Sequence, residues 1–252
     1  MKVVIAARSE EPGCGEVRAA FPEVEFATAR TAEELVREAV NAEVIFGWPH
    51  ADAIRAATKL RWVQAHSAGM DWMAGNIELI ESDVVVTSMG AVFAATMVEH
   101  TFALLLSLTR GLRHFDALQR NRTWPRPLGM ELVGLSGLTL GILGFGNVGR
   151  GVGRAGHALG MRVIAVDAND VPGPEYPAGF SRLEGLPELL RQSDVLVVTV
   201  PLTPETKGVL GAEQLALMKP SAYLMGISRG GIIDERALAR MLREGRRRAG
   251  CL

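Results

Sequence analysis

The chain has 252 residues, 48% of them hydrophobic, with a formal net charge of −1. That length holds two modest domains, and the apolar content is too high for a disordered chain. Lysine and arginine are scattered until the last few residues, which argues against nucleic acid or an anionic membrane as main partner. Cys14 and Cys251 lie far apart, and neither has a C-x-x-C or Cys/His metal spacing. No disulfide framework and no metal site are expected, and a reducing cytoplasm fits best. The apolar start is too short for a signal peptide and no run spans a bilayer, so the expectation is a soluble protein.

Short β-branched runs alternate with helical patterns. Lys2–Ala7, Val24–Ala27, Val44–Trp48, Arg61–Ala65 and Val84–Thr87 read as strands, with helices at Ala32–Val40 and Asp52–Ala57. Such alternation indicates parallel strands with helical crossovers. Ala94–Leu112 reads as one long helix, apolar on most faces and therefore buried, between domains or in an interface. After a looser stretch, Asn121–Gly137, a second series begins with strands Leu138–Leu143, Arg162–Val166, Val195–Val200 and Ala222–Ile227. Its helices are Val148–Leu159, Pro187–Arg191, Ala212–Leu217 and Glu235–Glu244. Val171–Gly179 reads as a surface loop, and Arg247–Leu252 as the beginning of a fifth strand. The expected fold class is two-domain α/β.

The strongest local signal is Gly144-Phe145-Gly146-Asn147-Val148-Gly149. A lone G-x-G-x-x-G is weak evidence in a chain with 28 glycines, but here an apolar strand precedes it and a helix follows. A second strand then ends in Asp167, eighteen residues after Gly149. This is the pattern of a dinucleotide site. Gly144 permits the turn, Gly146 lets the backbone approach the pyrophosphate, and Gly149 lets helix and strand pack closely. Asp167 suits the adenosine ribose hydroxyls and repels a 2′-phosphate, and no Arg or Lys follows before Arg182, which favours NAD over NADP. Gly151, Gly153 and Gly156 in the following helix imply either close neighbours or a weak helix, since interior glycine costs roughly 1 kcal/mol relative to alanine.

Arg229 follows the strand Ala222–Ile227, at the strand end where open parallel sheets bind ligands, and its guanidinium can fork onto a carboxylate. A surface ion pair is the plainer alternative. Gly230 and Gly231 allow a sharp turn and Asp234 suits the next helix cap.

Several segments together resemble the D-2-hydroxyacid dehydrogenases. They are Glu131-Leu132-x-Gly134 through Gly144, Pro201-Leu202-Thr203-Pro204-Glu205-Thr206-Lys207-Gly208, Met218-Lys219-Pro220 and Ser228-Arg229-Gly230-Gly231-Ile232-Ile233-Asp234. In the first half, Ser67-Ala68-Gly69-Met70-Asp71 and Glu99-His100-Thr101 are similar to the family's other landmarks. The resemblance covers the whole chain and is densest from Glu131 onward. It implies a flavodoxin-like substrate domain over residues 1–93 and a doubly wound Rossmann domain over 94–252, cut at its fifth strand.

The resemblance also implies NAD-dependent interconversion of a 2-oxo acid and a D-2-hydroxy acid, commonly by a homodimer. Arg229 would bind the substrate carboxylate and polarise the 2-oxo group. Ser67, Ala68 and Gly69 would offer backbone N–H groups to the same carboxylate, although an ordinary turn capped by Ser67 fits those residues equally well. Asn147, Val148, Val200, Pro201, Ile227 and Ser228 would touch the cofactor. Gly226 stands where the family commonly has Asn, which departs from the usual backbone anchoring.

The family's histidine, which gives the proton, and the glutamate that holds it lie beyond a Gly-Arg-x-x-Gly-x-x-Leu-Asp-Val motif. Gly245 to Leu252 is similar to this motif up to the Leu, with Ala249 where the motif has its second Gly. The chain is therefore expected to be a truncated member with impaired activity. Of the five histidines, His50 and His66 follow first-domain strands and could line a cleft, while His100, His114 and His157 lie in helical segments. The rival reading is a non-catalytic NAD-binding sensor or corepressor-like interaction protein. Substrate choice falls to loops near Trp48–His50, Gly69–Met73 and Met89–Phe93.

Overall fold

The computed structural model describes residues 1–6, 13–126, 130–169, 179–245 and 249–251. The chain divides into two compact units, Met1–Phe93 and Ala94–Leu252. Among the described residues no helix is long and apolar enough to cross a membrane.

The first unit runs β1 (Lys2–Ala6), α1 (Cys14–Ala20), β2 (Glu25–Ala29), α2 (Ala32–Ala39), β3 (Val44–Phe46), α3 (Ala51–Ala56), β4 (Trp62–Gln64), a 3₁₀ turn (Asp71–Gly75), α4 (Ile77–Ile80) and β5 (Val85–Thr87). All its strand pairs are parallel, in the order β2-β1-β3-β4-β5. This is the flavodoxin-like order. Val4 and Ile45 face Leu35, Ala39 and Ala53 of the helices. Thr31 starts α2 by accepting the Glu34 N–H at 3.2 Å, and Glu34 accepts the Arg30 N–H at 2.8 Å. Helix α1 escaped the sequence pattern because it buries no residue and so carries no apolar stripe.

The second unit contains α5 (Ala94–Thr109), α6 (Leu112–Arg120), β6 (Thr139–Leu143), α7 (Asn147–Ala158), β7 (Arg162–Val166), β8 (Gly179–Ser181), a 3₁₀ turn (Leu183–Gly185), α8 (Leu186–Gln192), β9 (Val195–Val198), α9 (Ala212–Leu217), β10 (Tyr223–Gly226), α10 (Glu235–Arg243) and β11 (Ala249–Cys251). Its parallel sheet has the order β8-β7-β6-β9-β10-β11. Counted within the unit this is 3-2-1-4-5-6, the Rossmann order, with the switch point between β6 and β9. One face packs Leu143, Leu196, Val198 and Leu224 against Leu189, Leu190, Leu215 and Leu238. The other packs Leu140, Ile142, Val195 and Val197 against Phe102, Leu105 and Val152. Burial on both faces explains why these strands read as continuous apolar runs.

Three expectations change. The helix expected over Ala94–Leu112 ends at Thr109, because Gly111 adopts φ 64 and a side chain there would strike Met130, and an unexpected helix, α6, follows over Leu112–Arg120. Nor is α5 buried all round: only Thr101, Phe102, Leu105 and Thr109 are, along one stripe, and α6 buries none. The strand before α8, β8, joins the sheet edge through backbone pairing with Ile164–Val166, which a three-residue segment cannot announce in its sequence. The final strand is consequently the sixth, Ala249–Cys251 beside β10, while residues 247, 248 and 252 of the expected run lie outside the described set. So do residues 171–178 of the expected surface loop.

Candidate functional site

The glycine turn joins β6 to α7 and is held from both neighbouring strands. On the β7 side, the Gly144 N–H donates to the Val166 carbonyl at 2.8 Å, and the Phe145 N–H donates to Asp167 Oδ2 at 2.6 Å. On the β9 side, the Thr199 hydroxyl donates to the Gly144 carbonyl at 2.6 Å. Gly144 has φ 95, and a Cβ there would lie 2.8 Å from the Val200 amide. A Cβ on Gly149 would lie 2.1 Å from the Gly144 oxygen, so only glycine lets α7 start this close to the turn. The Phe145 side chain is buried, with the Arg150 guanidinium 5.6 Å from its ring centroid.

Gly146 is the N-cap of the twelve-residue α7 and has nothing within 4 Å of where a Cβ would stand. The amides of Gly146, Asn147 and Val148 make no hydrogen bond among the described residues. Unpaired N–H groups at the positive end of a helix dipole, next to open space, suit a pyrophosphate. Asp167 also accepts the Asn169 N–H at 3.0 Å. A carboxylate has about four lone-pair sites, so with the bonds made among the described residues two remain for ribose hydroxyls. The residues present therefore fit a dinucleotide.

The interior glycines of α7 have close neighbours. A Cβ on Gly151 would meet Val98 of α5 at 2.7 Å, and one on Gly156 would meet Leu140 of β6 at 2.3 Å. The helix gives up intrinsic propensity for close approach on two sides.

Val200 and Pro201 follow β9, and Ile227, Ser228 and Arg229 follow β10. Both groups stand at the carboxyl end of the sheet, with Gly144, Gly146, Asn147, Val148, Gly149 and Asp167. Gly226 pairs with Val198 in the ladder, and the Ile227 N–H donates to the Val198 carbonyl at 3.4 Å. Arg229 is exposed and donates to the Ser228 carbonyl at 3.1 Å. Asp234 caps α10 by accepting the Ala237 N–H at 2.9 Å.

In the first unit, Ser67, Ala68 and Gly69 leave the carboxyl end of β4. Met89 N–H donates to the Ser67 carbonyl at 3.0 Å, tying the loop to the segment after β5. The amides of Ala68 and Gly69 find no partner among the described residues. Ser67 does not cap the 3₁₀ turn; its hydroxyl donates to the Gly69 carbonyl at 2.8 Å. His66 stacks on Trp48, and His50 Nε2 lies 3.3 Å from the Ala32 carbonyl. His100, His114 and His157 fall within α5, α6 and α7.

Sequence reasoning missed Thr199, whose role depends on a strand 55 residues away from Gly144. It also missed Asp194, which accepts the Thr139 N–H and the Lys219 ammonium, each at 2.8 Å, and ties together the amino ends of the central strands. No local pattern marks either residue.

NADH is expected to bind at least tenfold more tightly than NADPH, because a 2′-phosphate would face the Asp167 carboxylate with no cation between Asp167 and Arg182 to offset it. Titration of both by nucleotide fluorescence checks this, and equal affinities would contradict it.

Residues 102–252 match the NAD binding domain of the D-isomer specific 2-hydroxyacid dehydrogenases. The chain is 33% identical over 239 residues to D-3-phosphoglycerate dehydrogenase of Methanocaldococcus jannaschii, covering 91% of this chain and 44% of that one. It is 32% identical over 229 residues to glycerate dehydrogenase of Methylorubrum extorquens, covering 88% of this chain and 70% of that one. Among solved structures, a D-isomer specific 2-hydroxyacid dehydrogenase family protein from Aeromonas salmonicida superposes with a TM-score of 0.83 at 27% identity, over 99% of this chain and 79% of that one. The chain thus spans less than half of one curated relative and about two thirds of the other. The likenesses in sequence and in fold lead to one conclusion: this chain belongs to the D-isomer specific 2-hydroxyacid dehydrogenase family, and its second unit is the family's NAD-binding domain.

Proposed function

We propose that this chain carries the cofactor- and carboxylate-binding parts of an enzyme that interconverts a 2-oxo acid and a D-2-hydroxy acid. The main support is the glycine turn pinned by Asp167 and Thr199, with three amides at the start of α7 that find no partner among the described residues. Gly144, Gly146, Asn147, Val148, Gly149 and Asp167 hold the dinucleotide, with Val200, Pro201, Ile227 and Ser228 along its nicotinamide half. Bound there, the nicotinamide supplies or accepts the hydride.

Arg229 forks onto the substrate carboxylate and draws electron density from the 2-oxo group. The amides of Ala68 and Gly69, which find no partner among the described residues, suit a substrate carboxylate, and that role makes the first unit the substrate domain. The enzyme works in the cytoplasm, where Cys14, which forms no disulfide, stays reduced. The test is titration of the NADH-loaded chain with oxamate, an unreactive mimic of a 2-oxo acid. Saturable binding that requires the cofactor is expected. No binding at millimolar oxamate overturns the reading.

The assembly in this reading is a homodimer through α6 and the segment after it. Leu112 is 53% and Trp124 82% exposed, and an apolar pocket lies among Phe115, Leu118, Trp124 and Pro125. Such a surface favours a self-complementary contact. Light scattering should give twice the 27.1 kDa chain mass, and Trp124→Asp should halve it. A well-folded wild-type monomer at micromolar concentration would rule the contact out.

A further inference from the structure

We propose that Thr206 is a positioning residue for Arg229, and that its hydroxyl sets where the guanidinium stands when it takes a carboxylate. The proposal rests on the reading of Arg229 as the carboxylate-binding residue.

Arg229 lies on a short bridge between two anchors. Before it, the Ile227 N–H donates to the Val198 carbonyl at 3.4 Å. After it, the Gly231 carbonyl accepts the Gly208 N–H at 2.8 Å. Beyond that point the two segments run side by side into the core. The Leu210 N–H donates to the Ile232 carbonyl at 3.2 Å and the Asp234 N–H to the Leu210 carbonyl at 3.0 Å, with Leu210 and Ile232 buried. The bridge itself contains Gly230 and Gly231, and Gly231 has φ 84. Glycine backbone has little stiffness of its own, so the anchors set the direction of the bridge. Gly208, which makes the second anchor, has φ 68, and nothing lies within 4 Å of where its Cβ would stand. Its place is therefore set by the turn that precedes it.

Two threonines close that turn. The Thr206 hydroxyl donates its one proton to the Pro201 carbonyl at 2.6 Å and accepts the Thr203 N–H at 2.8 Å. The Thr203 hydroxyl in return accepts the Thr206 N–H at 3.3 Å and lies 3.2 Å from the Thr206 hydroxyl. The Lys207 N–H donates to the Thr203 carbonyl at 2.9 Å, and the chain then reaches Gly208. Both short bonds of the Thr206 hydroxyl end on backbone, one of them at the residue where the chain leaves β9. That strand's last residue, Val198, receives the first anchor. Thr206 thus fixes the span from Val198 to Gly208, which is the gap that the arginine bridge crosses. Leu202 of the same turn touches the bridge as well, 4.0 Å from where a Cβ of Gly231 would stand. A guanidinium fork needs two parallel N–H groups aimed at one carboxylate, so a small shift of the bridge weakens it.

The test is calorimetric titration of the full chain, loaded with NADH, with oxamate. Thr206→Val, of the same shape without the hydroxyl, should weaken oxamate roughly 3- to 10-fold, the range of one hydrogen bond. NADH affinity should change by less than about twofold, since the glycine turn and Asp167 make no bond to this loop. Thr206→Ser, which keeps the hydroxyl, should restore oxamate binding. In Arg229→Lys, which keeps the charge and loses the fork, Thr206→Val should add less than about a further twofold, because both changes act on one interaction. Deuterium exchange at the Gly208 amide should be faster in Thr206→Val, with or without ligand. A general loosening of the domain would instead weaken NADH and oxamate together and would add in full to Arg229→Lys. Either of those results overturns the proposal. So does unchanged oxamate affinity or unchanged Gly208 exchange in Thr206→Val, or failure of Thr206→Ser to restore binding. Arg229→Ala separates the two readings. If it leaves oxamate binding intact, Arg229 does not hold the carboxylate and both readings fall. If it abolishes binding while Thr206→Val leaves it unchanged, the role of Thr206 alone is wrong. Absence of oxamate binding to the wild type overturns both.

Discussion

Arg229→Ala is expected to remove most 2-oxo acid reduction, by about 10²-fold or more, in a polypeptide that carries a general acid. A guanidinium fork makes two charge-assisted bonds, and each contributes roughly 1.5–3 kcal/mol. The expectation is that none of the five histidines of residues 1–252 is the proton donor that the resemblance implies. Three of these lie in helices, His50 sits against the Ala32 carbonyl, and His66 is stacked on Trp48. Polypeptide 1–252 alone should therefore be slower than the same polypeptide completed with the corresponding Glu- and His-bearing segment of a family relative. A positioned general acid contributes on the order of 10²–10⁴-fold. NADH oxidation with glyoxylate, pyruvate and hydroxypyruvate measures both effects. If the short and completed polypeptides match, the donor lies within residues 1–252, and His66→Ala and His50→Ala become the next variants. If Arg229→Ala leaves the completed polypeptide unchanged, Arg229 does not hold the substrate.

Gly149→Ala and Gly146→Ala should separate two roles of the glycine turn. At Gly149 a Cβ would stand 2.1 Å from a backbone oxygen, that of Gly144, and backbone cannot turn aside as a side chain can. The start of α7 must shift, and with it the amides of Gly146, Asn147 and Val148. Losing one or two charge-assisted bonds to a pyrophosphate corresponds to about 10²-fold in NADH affinity. Overpacking of this kind costs about 1–3 kcal/mol, or roughly 2–12 °C in Tm for a chain of this size. At Gly146 nothing lies within 4 Å and the backbone is extended, so alanine should leave the Tm nearly unchanged. It should still weaken NADH, because the new methyl group occupies the space through which the ligand reaches the backbone. Equal Tm values for both variants would refute the tight helix–strand approach at Gly149. Undiminished NADH affinity in Gly146→Ala would move the pyrophosphate elsewhere.

The βαβ alternation, the glycine motif after an apolar strand, Asp167 at the end of the next strand, the Asp234 cap and the motif around Arg229 were all legible in the sequence. Each is local: a strand period, a turn that needs glycine, or a capping residue a few positions from the amide it serves. That is also why the family resemblance was strongest from Glu131 onward. The sequence did not announce α6, which buries no residue and so carries no apolar stripe. It could not show β8, which is held by backbone pairing with β7. It left open whether the glycines of α7 weaken a helix or admit neighbours, and the positions of Val98 and Leu140 decided that. Thr199 holding Gly144 and Trp48 stacked on His66 join residues from different strands, 55 and 18 positions apart. Such contacts arise only when parallel strands come into register, and no periodicity along one segment encodes which side chains will then share the end of a sheet.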